Sequence, residues 1–253
     1  MDIANSVAIV TGANRGIGEA FVRALIGQGA AKVYAGARNA ATAQHLVEEF
    51  GDKVVALELD VTREEQVVAA AAALCTDVSI VINNAGAFLN QRLMAADTMA
   101  AAREEMEVNY FGVLSMSRAF APVLKENGGG AIVNVLSAGG LCAMPVMGGY
   151  SPSKFAAKAA TTCIRAELAP QGTSVTALFV GSVDTRMASH VEGKKERPED
   201  IARVGLSAIK RKLDEADTDR MVLEVRAALA RDPKGHEQAL ARMLTADSLK
   251  TGN

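Results

Sequence analysis

Tyr150 and Lys154 stand four positions apart in Gly149-Tyr150-Ser151-Pro152-Ser153-Lys154. On a helix starting near Gly149, that spacing puts both side chains on one face, one turn apart. A free tyrosine holds its proton up to about pH 10, but a neighbouring ammonium favours phenolate and draws the hydroxyl toward the neutral range. The pair is therefore suited to general acid–base chemistry. Ser137 closes the run Asn134-Val135-Leu136-Ser137 at the carboxyl end of a strand-like segment. That is the edge of a parallel sheet where ligands bind, and a hydroxyl there can reach a substrate oxygen. Tyr and Lys at helical spacing also occur as a plain surface pair, so the chemistry depends on what surrounds them.

The first apolar run is followed directly by Thr11-Gly12-Ala13-Asn14-Arg15-Gly16-Ile17-Gly18, which opens a helical pattern. Glycines placed this way permit a tight turn and close backbone approach to a pyrophosphate resting on the positive end of the helix. A purely structural turn is the alternative, and the position after a strand and before a helix favours the phosphate.

Together with Asn83-Asn84-Ala85-Gly86 and Tyr150-xxx-Lys154, this turn resembles the classical short-chain dehydrogenase/reductase family, in matching order and spacing over about residues 6–185. The resemblance implies hydride transfer between a nicotinamide dinucleotide and a small-molecule carbonyl or secondary alcohol. It implies a catalytic set of Asn109, Ser137, Tyr150 and Lys154. In that set Tyr150 donates the proton, Ser137 orients and polarises the carbonyl, Lys154 also holds the nicotinamide ribose, and Asn109 keeps a water in the proton relay. By the same resemblance Gly12, Asn14, Arg15, Gly16, Ile17 and Gly18 line the pyrophosphate and adenosine-ribose side. Asp60 and Val61 meet adenine, Asn83, Ala85 and Gly86 shape the cofactor floor, and Gly181, Val183 and Thr185 bind the carboxamide and phosphates. Asp60 with Thr62 can equally cap the following helix, and Asn83-Asn84 can simply end a strand. The family commonly has Pro-Gly where this chain has Val180-Gly181, a loss that leaves the backbone there less fixed.

The choice of dinucleotide is read after the second strand. An enzyme using NAD usually carries an acidic residue there for the ribose 2′-hydroxyl. Val33-Tyr34-Ala35-Gly36-Ala37-Arg38-Asn39 offers Arg38 instead, and Arg15 lies in the glycine turn. Guanidinium groups bind a 2′-phosphate through charge-assisted hydrogen bonds, so the expected cofactor is NADP(H).

Positioning these residues requires alternating strands and helices. Val7–Val10, Lys32–Ala35, Val54–Leu59, Val78–Ile82, Ala131–Leu136 and Ser174–Val180 read as strands. Ile17–Gln28, Ala40–Phe50, Arg63–Leu74, Met99–Lys125 and Phe155–Leu168 read as the helices between them. The strands carry few charges, as expected when helices cover both faces. The predicted fold is α/β: a Rossmann-type, doubly wound parallel sheet in a three-layer αβα arrangement, forming one domain over residues 1–253. Residues 186–197 correspond to a short substrate lid, or to a solvated loop. Pro198–Ile209 begins a further helix, a seventh strand is signalled weakly near Lys212–Asp217, and residues 213–253 form a helical or irregular extension. Leu141, Met144, Val146 and Met147, between Ser137 and Tyr150, suit either an apolar substrate pocket or ordinary packing.

Composition sets outer limits. The chain has 253 residues, 49% of them hydrophobic, with 27 basic residues against 29 acidic ones. A net charge of −2 gives no field for nucleic acid or an anionic membrane. Met1–Val10 lacks the pattern of a secretory signal, and Cys75, Cys142 and Cys163 are too scattered for a disulfide framework, so a cytoplasmic setting is expected. His45, His190 and His236 stand without ligand-spaced partners, and no metal is expected. The resemblance implies a homodimer or homotetramer. An NADP-binding sensor without turnover is the competing reading, which the complete catalytic set disfavours. A nucleotide-sugar epimerase or dehydratase would need a larger C-terminal substrate domain.

Overall fold

The inner strands are apolar runs poor in charge because both of their faces are covered. The computed structural model describes residues 1–189 and 192–250, with side chains to Leu244. The strands are β1 (Val7–Thr11), β2 (Lys32–Ala37), β3 (Val54–Glu58), β4 (Ile80–Asn83), β5 (Gly130–Val135), β6 (Thr173–Phe179) and β7 (Glu215–Asp217). They form one parallel sheet in the order β3-β2-β1-β4-β5-β6-β7. The weakly signalled seventh strand is therefore present, short and at the edge.

The helices are α1 (Gly16–Gly27), α2 (Gln44–Phe50), α3 (Glu64–Ala69), α4 (Ala100–Met106), α5 (Gly112–Glu126), α6 (Tyr150–Leu168), α7 (Pro198–Arg211), α8 (Arg220–Arg231) and α9 (Pro233–Lys250). One face of the sheet packs on α1, α2 and α7 through Phe21, Leu25, Leu46, Leu206 and Ile209, all fully buried. The other packs on α3, α5 and α6 through residues such as Val67, Met116, Phe120 and Leu124. At about 25 cal/mol per Å² of apolar surface, these two layers supply the main driving force for folding. Gly205 brings α7 onto α1, because a Cβ there would lie 2.6 Å from the Phe21 ring.

The single helix expected over Met99–Lys125 is interrupted. Between α4 and α5 the backbone widens into a π-helical turn, Glu107–Phe111. Such a turn re-aims one side chain without ending the helix. The residue carried there is Asn109, fully buried.

The sheet order reverses direction between β1 and β4, so their carboxyl ends open a crevice. Thr11 and Asn83 lie at its base. Behind them, the Asn83 amide donates 2.8 Å to Asn134 Oδ1, and the Asn134 amide donates 2.9 Å to Thr161 Oγ1. This buried polar ladder ties β4, β5 and α6 together.

Candidate active site

The glycine turn has the backbone its sequence demands. Gly12 and Gly16 have φ of +63° and +57°, a left-handed conformation that side chains strain to adopt. Gly18 faces the Gly12 carbonyl so closely that no Cβ fits between them. Arg15 is the extended residue before α1, whose first turn follows at once. Orphan N–H groups at the start of α1 thus face the crevice.

Asn84 holds this turn shut from across the crevice. Its amide donates to the carbonyls of Thr11 at 2.9 Å and Gly12 at 3.1 Å. In return, Thr11 Oγ1 accepts from the N–H groups of Asn84 and Ala85. Neither Thr11 nor Asn84 stood out as a working residue in the sequence, although the doubled Asn83-Asn84 was the available signal. Asn83 points its side chain into the polar ladder and not toward the crevice, so its part is structural. Thr185 Cγ2 would lie 3.1 Å from a Cβ on Gly16, which brings the segment after β6 against the glycine turn.

Asp60 spends one carboxylate oxygen on Thr62, accepting from its N–H at 3.0 Å and its hydroxyl at 2.8 Å. That closes a local turn ahead of α3 and does not cap it, since the N-cap residue is Arg63 and no side chain caps the helix. Val61 is buried in the core, packed against Gly112, where a Cβ would lie 2.6 Å from it. Arg15 and Arg38 are both exposed, and among the described residues neither forms an ion pair. Asn14, Ile17, Ala85 and Gly86 are half-buried along the crevice.

At the other end of the crevice the catalytic candidates converge. Ser137 is extended, buried, and accepts 3.1 Å from the Gly139 N–H, which caps a short 3-10 turn. Its hydroxyl lies near enough to the Tyr150 phenol to favour the ionised form. Tyr150 is the first residue of α6, and Lys154, one turn on, places Nζ 5.6 Å from the centre of the phenol ring. Lys154 Nζ donates 2.9 Å to the Val135 carbonyl and is almost fully enclosed. A Cβ on Gly86 would lie 3.2 Å from Asn109 Oδ1 and 3.9 Å from Lys154 Nζ, so the fourth-strand motif and the tetrad meet. The Asn109 side chain itself is committed: its oxygen accepts from the Ala87 N–H, and its amide donates to the Ala87 carbonyl and to Ser153 Oγ, each at 2.9 Å.

The electrostatics correct one sequence expectation. Burial lowers Lys154 to about 8, because the enclosed ammonium loses its hydration. Burial also raises Tyr150 above its ordinary value; the Ser137 hydroxyl opposes that rise, and the charge of Glu105 adds to it. Desolvation thus raises the phenol and favours its protonated form, while Lys154 Nζ donates to the Val135 carbonyl.

Among the pocket candidates, Leu141 is buried in a small core with Ala157, Phe179 and Val222, so it packs. Met147 Sδ would lie 3.6 Å from a Cβ on Gly139, close to Ser137, and Met144 donates its N–H to Ser151 Oγ at 3.1 Å. Gly181 is anchored unexpectedly: its N–H donates 2.7 Å to Asp219, the residue that caps α8. Val183 is buried and pairs with Glu196 at the end of the lid segment. His45 lies 3.5 Å from Glu19, and His190 lies outside the described residues.

Comparison with known proteins matches this arrangement. Residues 6–196 fit the short chain dehydrogenase family. A solved short chain dehydrogenase from Burkholderia cenocepacia J2315, in complex with NADP, is 42% identical, covers 95% of this chain and 99% of its own, and superposes with a TM-score of 0.89. An uncharacterised oxidoreductase of Staphylococcus aureus (strain MRSA252) is 33% identical over 82% of this chain and 92% of its own length. A 3-alpha-(or 20-beta)-hydroxysteroid dehydrogenase of Mycobacterium bovis is 33% identical over 79% and 75% respectively. Sheet order, glycine turn and sequence likeness agree: the chain belongs to the short-chain dehydrogenase family of oxidoreductases.

Proposed function

We propose that the protein is an NADP(H)-dependent oxidoreductase interconverting a carbonyl compound and its secondary alcohol. One observation carries the reading: the Ser137 hydroxyl, the Tyr150 phenol and the Lys154 ammonium converge at the carboxyl edge of the sheet, at the end of a crevice that begins with a left-handed glycine turn.

The crevice suits a dinucleotide. The turn leaves no room for a side chain at Gly12, Gly16 or Gly18, and α1 directs its N-terminus there for a pyrophosphate. Gly86, open beside Lys154, and Val183 with Thr185 from the segment after β6 would hold the nicotinamide end. Arg15 and Arg38, without ion-pair partners among the described residues, suit a 2′-phosphate, and the NADP complex of the 42% identical relative supports that choice. The bound cofactor supplies or takes the hydride.

The protein's own residues handle the proton. In reduction, Tyr150 gives its hydroxyl proton to the carbonyl oxygen as that oxygen gains negative charge, and Ser137 donates a second hydrogen bond to it. The phenolate left behind is stabilised by the Lys154 ammonium nearby. Oxidation reverses both movements. Half-buried Met144 and Met147 line the approach to Ser137 and can adapt to an apolar substrate. Free thiols at Cys75, Cys142 and Cys163 suit a reducing cytoplasm, and exposed Phe111 and Phe155 suit burial in a dimer or tetramer. No helix among the described residues is long and apolar enough to cross a membrane.

Tyr150→Phe tests the assignment. Turnover on a panel of ketones, aldehydes and secondary alcohols should vanish while NADPH still binds, because only the proton donor is deleted. Retained turnover would refute the role of Tyr150. A wild-type protein that binds NADPH yet converts nothing on the panel would point to a sensor.

A further inference from the structure

Glu105 lies on α4 one turn before Asn109, and its side chain is completely buried. Oε1 accepts a 2.7 Å hydrogen bond from the Leu89 N–H, whereas Oε2 is shut off from solvent with no hydrogen-bond partner. A buried carboxyl with an unpaired oxygen is expensive, and such groups concentrate where they act on a neighbour.

Its neighbours belong to the catalytic end of the crevice. The segment after β4 runs as a strap over the start of α6. Asn109 grips the strap at Ala87 and Glu105 grips it at Leu89. Phe88, between these two grips, sets its ring edge-on to Tyr150 with centroids 5.2 Å apart. On its other side Glu105 Oε2 would lie 2.7 Å from a Cβ on Gly149, the residue immediately before Tyr150. Gly148, with φ of +54°, lets the Gln91 carbonyl of the strap pass directly over it. The carboxyl is thus wedged between the strap and the first residues of α6. The charged and titratable groups that bear on it are Glu104 on its own helix and Tyr150 on α6.

We propose that Glu105 is a positioning residue for Tyr150: wedged between the Phe88 strap and Gly149, it clamps Phe88 against the phenol and sets its own carboxylate charge beside the hydroxyl that delivers a proton to a carbonyl oxygen. This rests on Tyr150 being the proton donor. Two negative charges close together in a poorly solvated site oppose each other, so ionising one makes the other harder to ionise. Burial foremost, with the charge of Glu104, pushes the Glu105 carboxyl up, and the charge of Glu105 adds to the rise that burial imposes on Tyr150.

The coupling can be read without turnover. In the substrate-free protein, phenolate ultraviolet absorbance follows the tyrosines, and the step that Tyr150→Phe removes belongs to Tyr150. Glu105→Gln keeps the size and the acceptor for Leu89 while deleting the charge. The Tyr150 step should then move to lower pH, its proton affinity falling roughly tenfold. The pH limb of alcohol oxidation should shift the same way, with KM for the alcohol little changed. An unmoved step, or a loss of kcat with the limb in place, overturns the proposal. Should Glu105→Gln fail to fold, the wild-type protein serves. Isotope-edited NMR of the Glu105 carboxyl carbon should show a second inflection at the Tyr150 midpoint that Tyr150→Phe abolishes, and its absence overturns the coupling. A protein that converts no substrate would defeat the enzymatic reading, while the absorbance and NMR measurements would still decide this one.

Discussion

Arg38 and Arg15 carry the cofactor choice as individual side chains. Both reach into solvent, and neither forms an ion pair among the described residues, so nothing local holds them in place or competes for their charge. A hydrogen bond to a charged group contributes about 1.5–3 kcal/mol. Arg38→Ala should accordingly cut kcat/KM for NADPH by roughly 10- to 100-fold and leave the value for NADH nearly unchanged. Steady-state kinetics with the two cofactors measure this, and a wild-type preference for NADH would overturn the assignment. Asp60 shows the opposite situation. One oxygen of its carboxylate already accepts twice from Thr62, so the local turn draws on this side chain.

At the scale of elements, two anchors stand out that join segments distant in sequence. One is the strap over α6, fixed by Asn109 from the π turn and by Glu105. The other is Asp219. Its carboxylate accepts from the Val222 N–H as the N-cap of α8, from the Thr218 hydroxyl, and from the Gly181 N–H. This offsets the freedom left by Val180 in place of proline: α8 holds the turn after β6 from outside, and Val180 itself is buried in the core. Gly181 is required there, because a Cβ would lie 2.5 Å from the Asp219 carboxylate. Asp219→Ala removes a helix cap and a charge-assisted bond together, and should lower unfolding free energy by about 2–4 kcal/mol in urea titrations. It should also raise KM for NADPH several-fold through the loosened 181–185 segment, and Asp219→Asn should recover part of both losses. An unchanged KM would detach α8 from cofactor binding.

For the molecule as a whole, the site draws on stability that the rest of the fold supplies. Lys154 titrates at about 8 in the folded protein against 10.5 ordinarily, so the unfolded chain binds the proton more tightly. The ammonium therefore opposes folding below pH 8, and this opposition fades as pH rises from about 8 to 10.5, where stability gained from this group increases with pH. Over that window the unfolding free energy of the wild type should rise relative to that of Lys154→Met. Parallel urea titrations of the two proteins across the pH range measure the difference, which cancels the other groups that titrate there. A constant difference would show that burial does not depress the lysine. The sheet and its two helical layers sustain this cost, with Phe21, Phe120 and Phe179 among the largest fully buried side chains.

Sequence alone determined the alternation of strands and helices, because a strand covered on both faces must be apolar throughout and a helix must repeat every three to four residues. It located the glycine turn, Ser137, and the Tyr150 and Lys154 pair, since each depends on spacing within one or two adjacent elements. It also signalled β7 and the helix beginning at Pro198. Contacts between segments far apart in the chain lay beyond its reach. Nothing local to Asn84 says that it bonds the Thr11 and Gly12 carbonyls, nothing local to Asp219 says that it holds Gly181, and Glu105 reads as one more acidic residue on a helix. The π turn that redirects Asn109 is invisible to a periodicity that continues on both sides of it. The direction of the Tyr150 shift was likewise decided by tertiary structure. Spacing brings the lysine near, but only burial determines how strongly each charge is solvated, and here desolvation prevails.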